Sequence, residues 1–327
     1  MKSQFARKLI AATGTVGLAL CCASAAVAAD TFPSHPIRII VTSAAGGFVD
    51  VTARYMSRYM SEKLGQPVIV ENRTGAGGLV AIRTVKAAPA DGYTLLASVN
   101  TVTIQQSVTE NPGYDVANDF VGVGPINRSA FLLVTATSQP DKTLGDMLAR
   151  AKANPAKLTY ASAGIGSTTH LGTAMLGQRA GVQIAHVPYK GNAAAWPDVI
   201  AGRVGMILEP WGTAAPMIRD GRLKVLGVTS TKRLDVLPEV PTIAEQGVPY
   251  SFYLWSGLLA PKGTPKEAID KLSAALRSAL TLPEVKDRFR AEGAEVMSMP
   301  PDEFTAFLKG EAADMSKLVA QIGLQKE

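Results

Sequence analysis

Two glycine-rich loops carry residue types that could bind an anion. The first reads Ser43-Ala-Ala-Gly-Gly-Phe48 and the second reads Ser162-Ala-Gly-Ile-Gly-Ser-Thr-Thr-His170, and each leads into a predicted helix. Glycine lets the backbone approach a ligand closely, and the first turn of a helix has N–H groups without intrahelical partners. Either loop alone also fits a plain turn or helix cap. The pair favours a pocket for a carboxylate or phosphate, in which hydroxyls and amides replace cationic side chains.

Further candidate contacts follow other predicted strands, because ligands of open α/β sheets bind beyond the carboxyl ends of strands. From these positions we expect contacts by Asn100, Thr101, Tyr189, Lys190 and Glu209. From the two loops we expect contacts by Ser43, Ala44, Ala45, Gly46, Gly47, Phe48, Ser162, Gly164, Gly166, Ser167, Thr168, Thr169 and His170. Trp211 also follows a strand, but a packed or hinge role is favoured for this large apolar residue.

Most enzyme signatures are missing from the sequence. There is no G-x-S-x-G elbow and no Walker A motif, and Val80 stands where a dinucleotide fingerprint starting at Gly75 needs its third glycine. The spacing of His35, His170 and His186 fits no zinc motif. We therefore expect no metal, no organic cofactor and no catalytic role. An enzyme with Ser167 and His170 as a dyad, acting on a small carboxylate, is the alternative.

The first 29 residues have the pattern of a cleaved secretory signal. A basic start with Lys2, Arg7 and Lys8 precedes an apolar run and then small residues up to Ala29. An uncleaved anchor and lipidation at Cys21 are disfavoured alternatives. Removal of the segment leaves 30 Lys and Arg against 27 Asp and Glu, a net charge of +3, and no Cys. Because no basic cluster remains, nucleic-acid binding is not expected.

The remaining chain alternates predicted strands and helices, which indicates parallel pairing with helical crossovers. Strands are predicted at 37–42, 68–71, 94–98, 132–135, 158–161, 184–187, 206–208 and 225–229. Helices are predicted at 50–64, 77–88, 143–153, 167–180, 265–280, 283–291 and 302–322, and Asp50 is expected to cap the first. A length of 327 residues suits about two domains.

Several strings, in their order and spacing, resemble the substrate-binding proteins of tripartite tricarboxylate transporters, the Bug family of periplasmic receptors. They include Phe32–Val41, Leu64–Arg73, Ala90–Leu95, Val187–Gly191 and Leu237–Thr242, and they cover essentially the whole mature chain. The resemblance implies an α/β, type 2 periplasmic-binding-protein fold with a ligand cleft between two lobes. The lobes would comprise residues 30–127 plus 253–327, and residues 128–252.

The same resemblance implies a monomeric periplasmic receptor that closes on a small organic acid. It would deliver the acid to the integral subunits of a membrane permease; a sensing role with a membrane signalling partner is the alternative. The chain departs from the family where Phe48 replaces a small or hydroxylated residue and where Val204-Gly205 replaces Val-Asp. These departures predict a bulkier ligand with an aromatic or apolar body.

Overall fold

The computed structural model describes residues 32–155 and 157–326, so the predicted signal peptide lies outside the described residues. Strands and helices alternate along the described chain. The strands are β1 Ile37–Val41, β2 Val68–Asn72, β3 Thr94–Val99, β4 Phe120–Ala136, β5 Thr159–Ser162, β6 Ala185–Pro188, β7 Met206–Pro210, β8 Leu223–Val228, β9 Tyr253–Pro261 and β10 Ala294–Val296. The helices are α1 Phe48–Leu64, α2 Leu79–Lys86, α3 Thr101–Val108, α4 Val116–Asp119, α5 Leu144–Ala153, α6 Thr168–Ala180, α7 Trp196–Ile200, α8 Trp211–Arg219, α9 Lys266–Leu280, α10 Pro283–Ala291 and α11 Pro301–Gln321.

The strands form one curled sheet in the order β2-β1-β3-β9-β4-β7-β5-β6, and β8 and β10 both pair with β4. Strand β1 is parallel to β2 and β3, and β5 is parallel to β6 and β7. The antiparallel strands β9 and β4 join these two parallel groups. The predicted parallel pairing and the α/β class are confirmed.

Strand β4 crosses from one part of the sheet to the other. Its residues Phe120–Ala130 pair with β9, and Phe131–Val134 pair with β7. We call the strands on the β9 side the first section and those on the β7 side the second section. Sequence reasoning found only a short strand at 132–135, because glycine and proline near residue 124 interrupt the β pattern. The ladder shifts register at these positions, which accommodates them.

The C-terminal helix α11 packs on the cores of both sections. Phe304 and Leu308 lie in a core with β9 of the first section. Two turns later, Met315 and Leu318 lie in a core with Leu171 of α6. The helix therefore ties the two sections together along its length. Within the described residues, no helix has both the length and the apolar character needed to cross a membrane.

Candidate functional site

Hydrogen bonds among uncharged groups stabilise the loop between β5 and α6. Ser167 is the N-cap of α6, and its Oγ accepts the backbone N–H of His170 at 3.2 Å. Thr169 Oγ1 accepts the N–H of Ala163 at 3.1 Å. Gly166 has φ +70°, and a Cβ there would lie 2.8 Å from Val108 of α3. Only glycine fits this contact without movement, so the loop packs closely against α3.

Two stacked imidazoles lie beneath this loop. The rings of His170 and His186 are 3.9 Å apart, and Tyr160 continues the stack 4.9 Å from His186. His170 Nδ1 accepts the N–H of Gly166 at 3.0 Å, and His186 Nε2 lies 2.6 Å from Ser162 Oγ. Burial, followed by the nearby His186, lowers the pKa of His170 to about 4. At neutral pH the ring is therefore uncharged and positions the loop backbone.

This arrangement differs from the alternative catalytic dyad. The His170 imidazole is engaged by Gly166, and it is the backbone N–H of His170 that reaches Ser167. The serine that does contact an imidazole is Ser162, which has no solvent exposure. A hydroxyl in that position supports the loop through its contacts with Gly164 and His186.

A buried carboxyl group lies behind the second-section loop. Glu209, at the carboxyl end of β7, is 4% exposed and accepts hydrogen bonds from Asn192 Nδ2 and from Thr213 Oγ1. Thr169 Oγ1 donates to Asn192 Oδ1 at 3.2 Å, which connects the loop to this carboxyl. Burial raises the pKa of Glu209 to about 7, although both hydrogen bonds act in the opposite direction. Glu209 is thus connected to the predicted site by hydrogen bonds through Asn192 to Thr169.

The loop between β1 and α1 differs from the prediction in its capping. Helix α1 begins at Phe48 with Gly47 as N-cap, so the expected capping role of Asp50 is wrong. Asp50 lies inside the first turn, where its carboxylate accepts the N–H of Gly46 at 2.8 Å and bonds to Arg54 and Asn72. Burial alone would raise its pKa, but these hydrogen bonds lower it. The anion at this helix end is therefore already supplied by the protein.

The side chain of Asn100 forms hydrogen bonds within the protein, where a ligand contact was predicted. Its Nδ2 donates to Glu311 of α11 at 2.8 Å, and its Oδ1 accepts the N–H of Trp255 at 3.1 Å. The side chain is 2% exposed and serves to join α3, β9 and α11. This geometry does not support ligand contact by the Asn100 side chain. Thr101, the first residue of α3, is half-buried beside Gly78.

The remaining candidates lie on the second section. Tyr189 is half-buried, and its hydroxyl donates to Asp198 at 2.5 Å, while Lys190 is exposed. Trp211 is 8% exposed in a core, and a Cβ on Gly293 would lie 2.7 Å from it. The prediction of a packed Trp211 is confirmed. Ligand contacts by Tyr189, Lys190 and the two loops stay predictions. The structure places these residues at strand ends.

Sequence reasoning missed the supporting residues Asn192, Thr213 and His186. Asn192 directly follows the Val187–Gly191 string, so its position after a strand was an available signal. Thr213 lies four residues after Glu209, in the first turn of α8, so a helix predicted directly after β7 would have placed its hydroxyl near the carboxyl. His186 had no such local signal, because its partner Ser162 lies 24 residues away on the neighbouring strand.

Comparison with known proteins places this geometry in a family. Residues 52–324 match the model described as the tripartite tricarboxylate transporter family receptor. The chain belongs to this family. Membership agrees with the resemblance seen in the sequence, and the match runs from within α1 to just beyond α11, so that β1 lies outside it.

Three solved structures show the same fold. The R. palustris protein Rpa4515 with adipate is 32% identical, with a TM-score of 0.79 over 90% of this chain and all of that one. The periplasmic binding protein BugD is 32% identical, with a TM-score of 0.77 over 90% and 100%. MatC from Rhodopseudomonas palustris with bound malate is 29% identical, with a TM-score of 0.75 over 88% and 100%. The predicted two-lobe periplasmic-binding-protein fold is confirmed.

Proposed function

We propose that this chain is a periplasmic receptor that captures a small organic acid between its two lobes and passes it to the membrane subunits of a tripartite tricarboxylate transporter. Family membership and similarity to proteins solved with adipate and malate support the ligand class. Export would use the sequence pattern of residues 1–29. The lobes would meet at β4, which changes pairing partner between Ala130 and Phe131.

The observation that carries this proposal is the uncharged, hydroxyl-bearing start of α6. Ser167 and Thr168 are half-buried at the first turn, and the amides of that turn have no intrahelical acceptors. A carboxylate placed there would gain hydrogen bonds to hydroxyls and amides and a favourable interaction with the helix dipole. The uncharged ring of His170 accepts the N–H of Gly166, which supports the loop that carries these groups.

Two apolar residues favour a ligand with an apolar body. Ile165, at the tip of the second-section loop, is 47% exposed, and Phe48 is half-buried at the start of α1. A Phe48→Ser variant is expected to lose affinity for benzoate while keeping affinity for malate. A wild-type chain that prefers malate over benzoate would contradict the apolar-body part of the proposal, and leave the receptor role standing.

Calorimetry and thermal unfolding with adipate, malate and benzoate test the binding function. One acid should bind without turnover and stabilise the protein by about 2.7 kcal/mol at 100 times its Kd. Ser167→Ala should weaken that binding roughly tenfold, because a hydrogen bond to a charged group is lost. Thr143→Ala is the matched control, since Thr143 also caps a helix with its hydroxyl but lies on α5. Both variants should lose about 1 kcal/mol of stability.

Other outcomes separate the alternatives. Conversion of the acid to a product, lost in Ser167→Ala, would show an enzyme instead of a receptor. Equal affinity in Ser167→Ala and Thr143→Ala would remove the α6 loop from the site. Delivery is tested in cells by deleting the gene and measuring uptake of the acid; unchanged uptake with a lost transcriptional response would favour the sensing role.

A further inference from the structure

A cavity of about 590 Å³ lies between α6, α11 and the start of β9. We call it the α6–α11 cavity. Its α6 wall is formed by Met175, Gln178 and Arg179, in the half of the helix away from Ser167. Five or more residues of helix separate Met175 from the candidate-site residues Ser167–His170, which is about 7.5 Å at 1.5 Å per residue. None of the residues of the two glycine-rich loops lines it.

The cavity wall combines apolar surface with polar side chains such as Gln178 and Gln321. Phe252, Trp255 and Phe307 provide aromatic surface, and Met175 and Met297 provide flexible thioethers. Methionine side chains adapt to ligands of different shape, and the volume falls in the usual range of small-molecule sites. The cavity therefore has room and apolar surface for the hydrocarbon chain of a small ligand.

The mouth of the cavity carries positive charge. Arg128 is paired with Glu295 at 2.7 Å, and Lys317 lies 3.7 Å from Asp314. Arg179 is exposed in the last turn of α6 and forms no ion pair with any side chain of residues 32–155 or 157–326. It is therefore the group best placed to meet an anion entering the cavity.

Two carboxyl groups line the cavity, and one of them, Asp314, is the partner of Lys317. Glu311 accepts hydrogen bonds from Asn100, Thr103 and Trp255 at 2.7–2.8 Å. Burial raises the pKa of Glu311 to about 7, despite these three hydrogen bonds. Much of its population is thus uncharged near neutral pH. Since Arg128 and Lys317 have acidic partners, Arg179 is the lining cation that an entering anion can meet.

We propose that the α6–α11 cavity is a second ligand site, which takes a medium-chain carboxylate with its apolar chain against Met175, Trp255 and Phe307 and its acid group at Arg179. A medium chain is chosen because the cavity volume of about 590 Å³ lies in the range of small-molecule sites and part of its wall is aromatic and thioether surface. The negative charge proposed for the ligand follows from Arg179, which has no acidic partner among the described residues, and from the raised pKa of Glu311, which leaves this carboxyl partly uncharged. This site is independent of the proposed receptor function, because it shares no residue with the glycine-rich loops.

Calorimetric titration of the mature chain with decanoate, decan-1-ol and decylamine tests the proposal. Decanoate should bind one to one and at least tenfold more tightly than the alcohol or the amine. Arg179→Glu should weaken decanoate binding at least tenfold. Arg277→Glu is the matched control, because Arg277 is also an exposed arginine in the last turn of a helix. It should bind decanoate like the wild type.

A second variant locates the ligand. Met175→Trp fills the cavity and should abolish decanoate binding while adipate or malate titrations are unchanged. Decanoate that is displaced by adipate or malate, and weakened by Ser167→Ala, would place it in the cleft and overturn the proposal. Absence of decanoate binding, equal binding in the two arginine variants, or tighter binding of decylamine would overturn it as well. Arg179 is exposed, so its variant tests the proposal even if Met175→Trp does not fold.

Discussion

At the scale of single residues, the candidate site is built from neutral groups held by buried ones. Ser167 and Thr169 present hydroxyls, and His170 is kept uncharged so that its ring can accept the N–H of Gly166. The carboxyl group of Glu209 is buried and accepts a hydrogen bond from Asn192. Its burial costs stability whenever the carboxyl is ionised, because few groups compensate its charge. The site therefore carries a pH dependence that can be measured.

Glu209→Gln is expected to reduce the loss of stability between pH 6.5 and pH 8. The pKa of Glu209 rises from 4.5 to about 7 on folding, so its contribution is full below pH 4.5 and is lost as the pH rises through 7. Within this window the loss from Glu209 is roughly 1 kcal/mol. Glu311, whose pKa is also raised to about 7, should still cause a similar loss of stability over this pH window in the variant. Urea unfolding at the two pH values measures the loss of stability in the wild type and in Glu209→Gln.

The choice of pH window and of control makes this result specific. The lowered pKa of His170 adds stability as the pH rises through 6.5, its ordinary value, but this contribution is the same in the wild type and the variant and cancels in their comparison. Glu239→Gln, at an exposed carboxyl, should retain the wild-type slope. An unchanged slope in Glu209→Gln would show that Glu209 is ionised without cost in the folded protein.

At the scale of elements, glycines in the crossing strands let α11 pack closely on the sheet. A Cβ on Gly122 of β4 would lie 2.7 Å from the ring of Phe304, and one on Gly257 of β9 would lie 2.6 Å from it. The ring of Phe304 is fully buried over these two glycines. Helix α11 in turn places Glu311 against Asn100 and Trp255. The glycines thus control the position of the helix that lines the α6–α11 cavity.

Two Gly→Ala substitutions should have opposite effects on stability. Gly257→Ala should destabilise the protein by about 1–3 kcal/mol, because the new methyl group overlaps a ring that is closely packed. Gly310→Ala, inside α11 with nothing within 4 Å, should stabilise it by about 0.5–1 kcal/mol. Thermal unfolding compares them directly. A stable Gly257→Ala variant would mean that Phe304 can move without cost.

At the scale of the whole molecule, the two sections share structure. Strand β4 pairs in both, and α11 contributes to both cores. The core of the second section contains Val108 of α3 and Met315 and Leu318 of α11. These side chains come from outside residues 128–252, the range predicted for the second lobe. We infer that this lobe depends on the rest of the chain for its core.

A fragment of residues 128–252 is therefore expected to fold poorly alone. Loss of two or more buried apolar side chains removes several kcal/mol, comparable with the stability of a typical domain. Circular dichroism and urea unfolding of the fragment should show a weak or non-cooperative transition. The full chain should unfold in a single transition. A fragment that unfolds cooperatively with a midpoint like that of the full chain would contradict the inference.

The sequence alone determined those features that depend on local physical chemistry. The capping box at Thr143 and Asp146, the ends of α1 and α6 at glycine, and most strands follow from local propensity and short-range hydrogen bonds. The family resemblance came from ordered strings of such residues, and the family model bears it out. Strand β9 and the first part of β4 were missed because glycine and proline there are tolerated only through tertiary packing.

Only the tertiary structure decided what the buried polar groups contact. Asn100 is joined to Glu311 across 211 residues of chain, and Ser162 to His186 across 24. No local pattern specifies such pairs, because each is created when separate elements pack and must satisfy the polar groups they bury. The same packing formed the α6–α11 cavity from helices that are far apart in sequence. The sequence therefore identifies the loops of the proposed site, and the fold determines which side chains in and around them are free to bind.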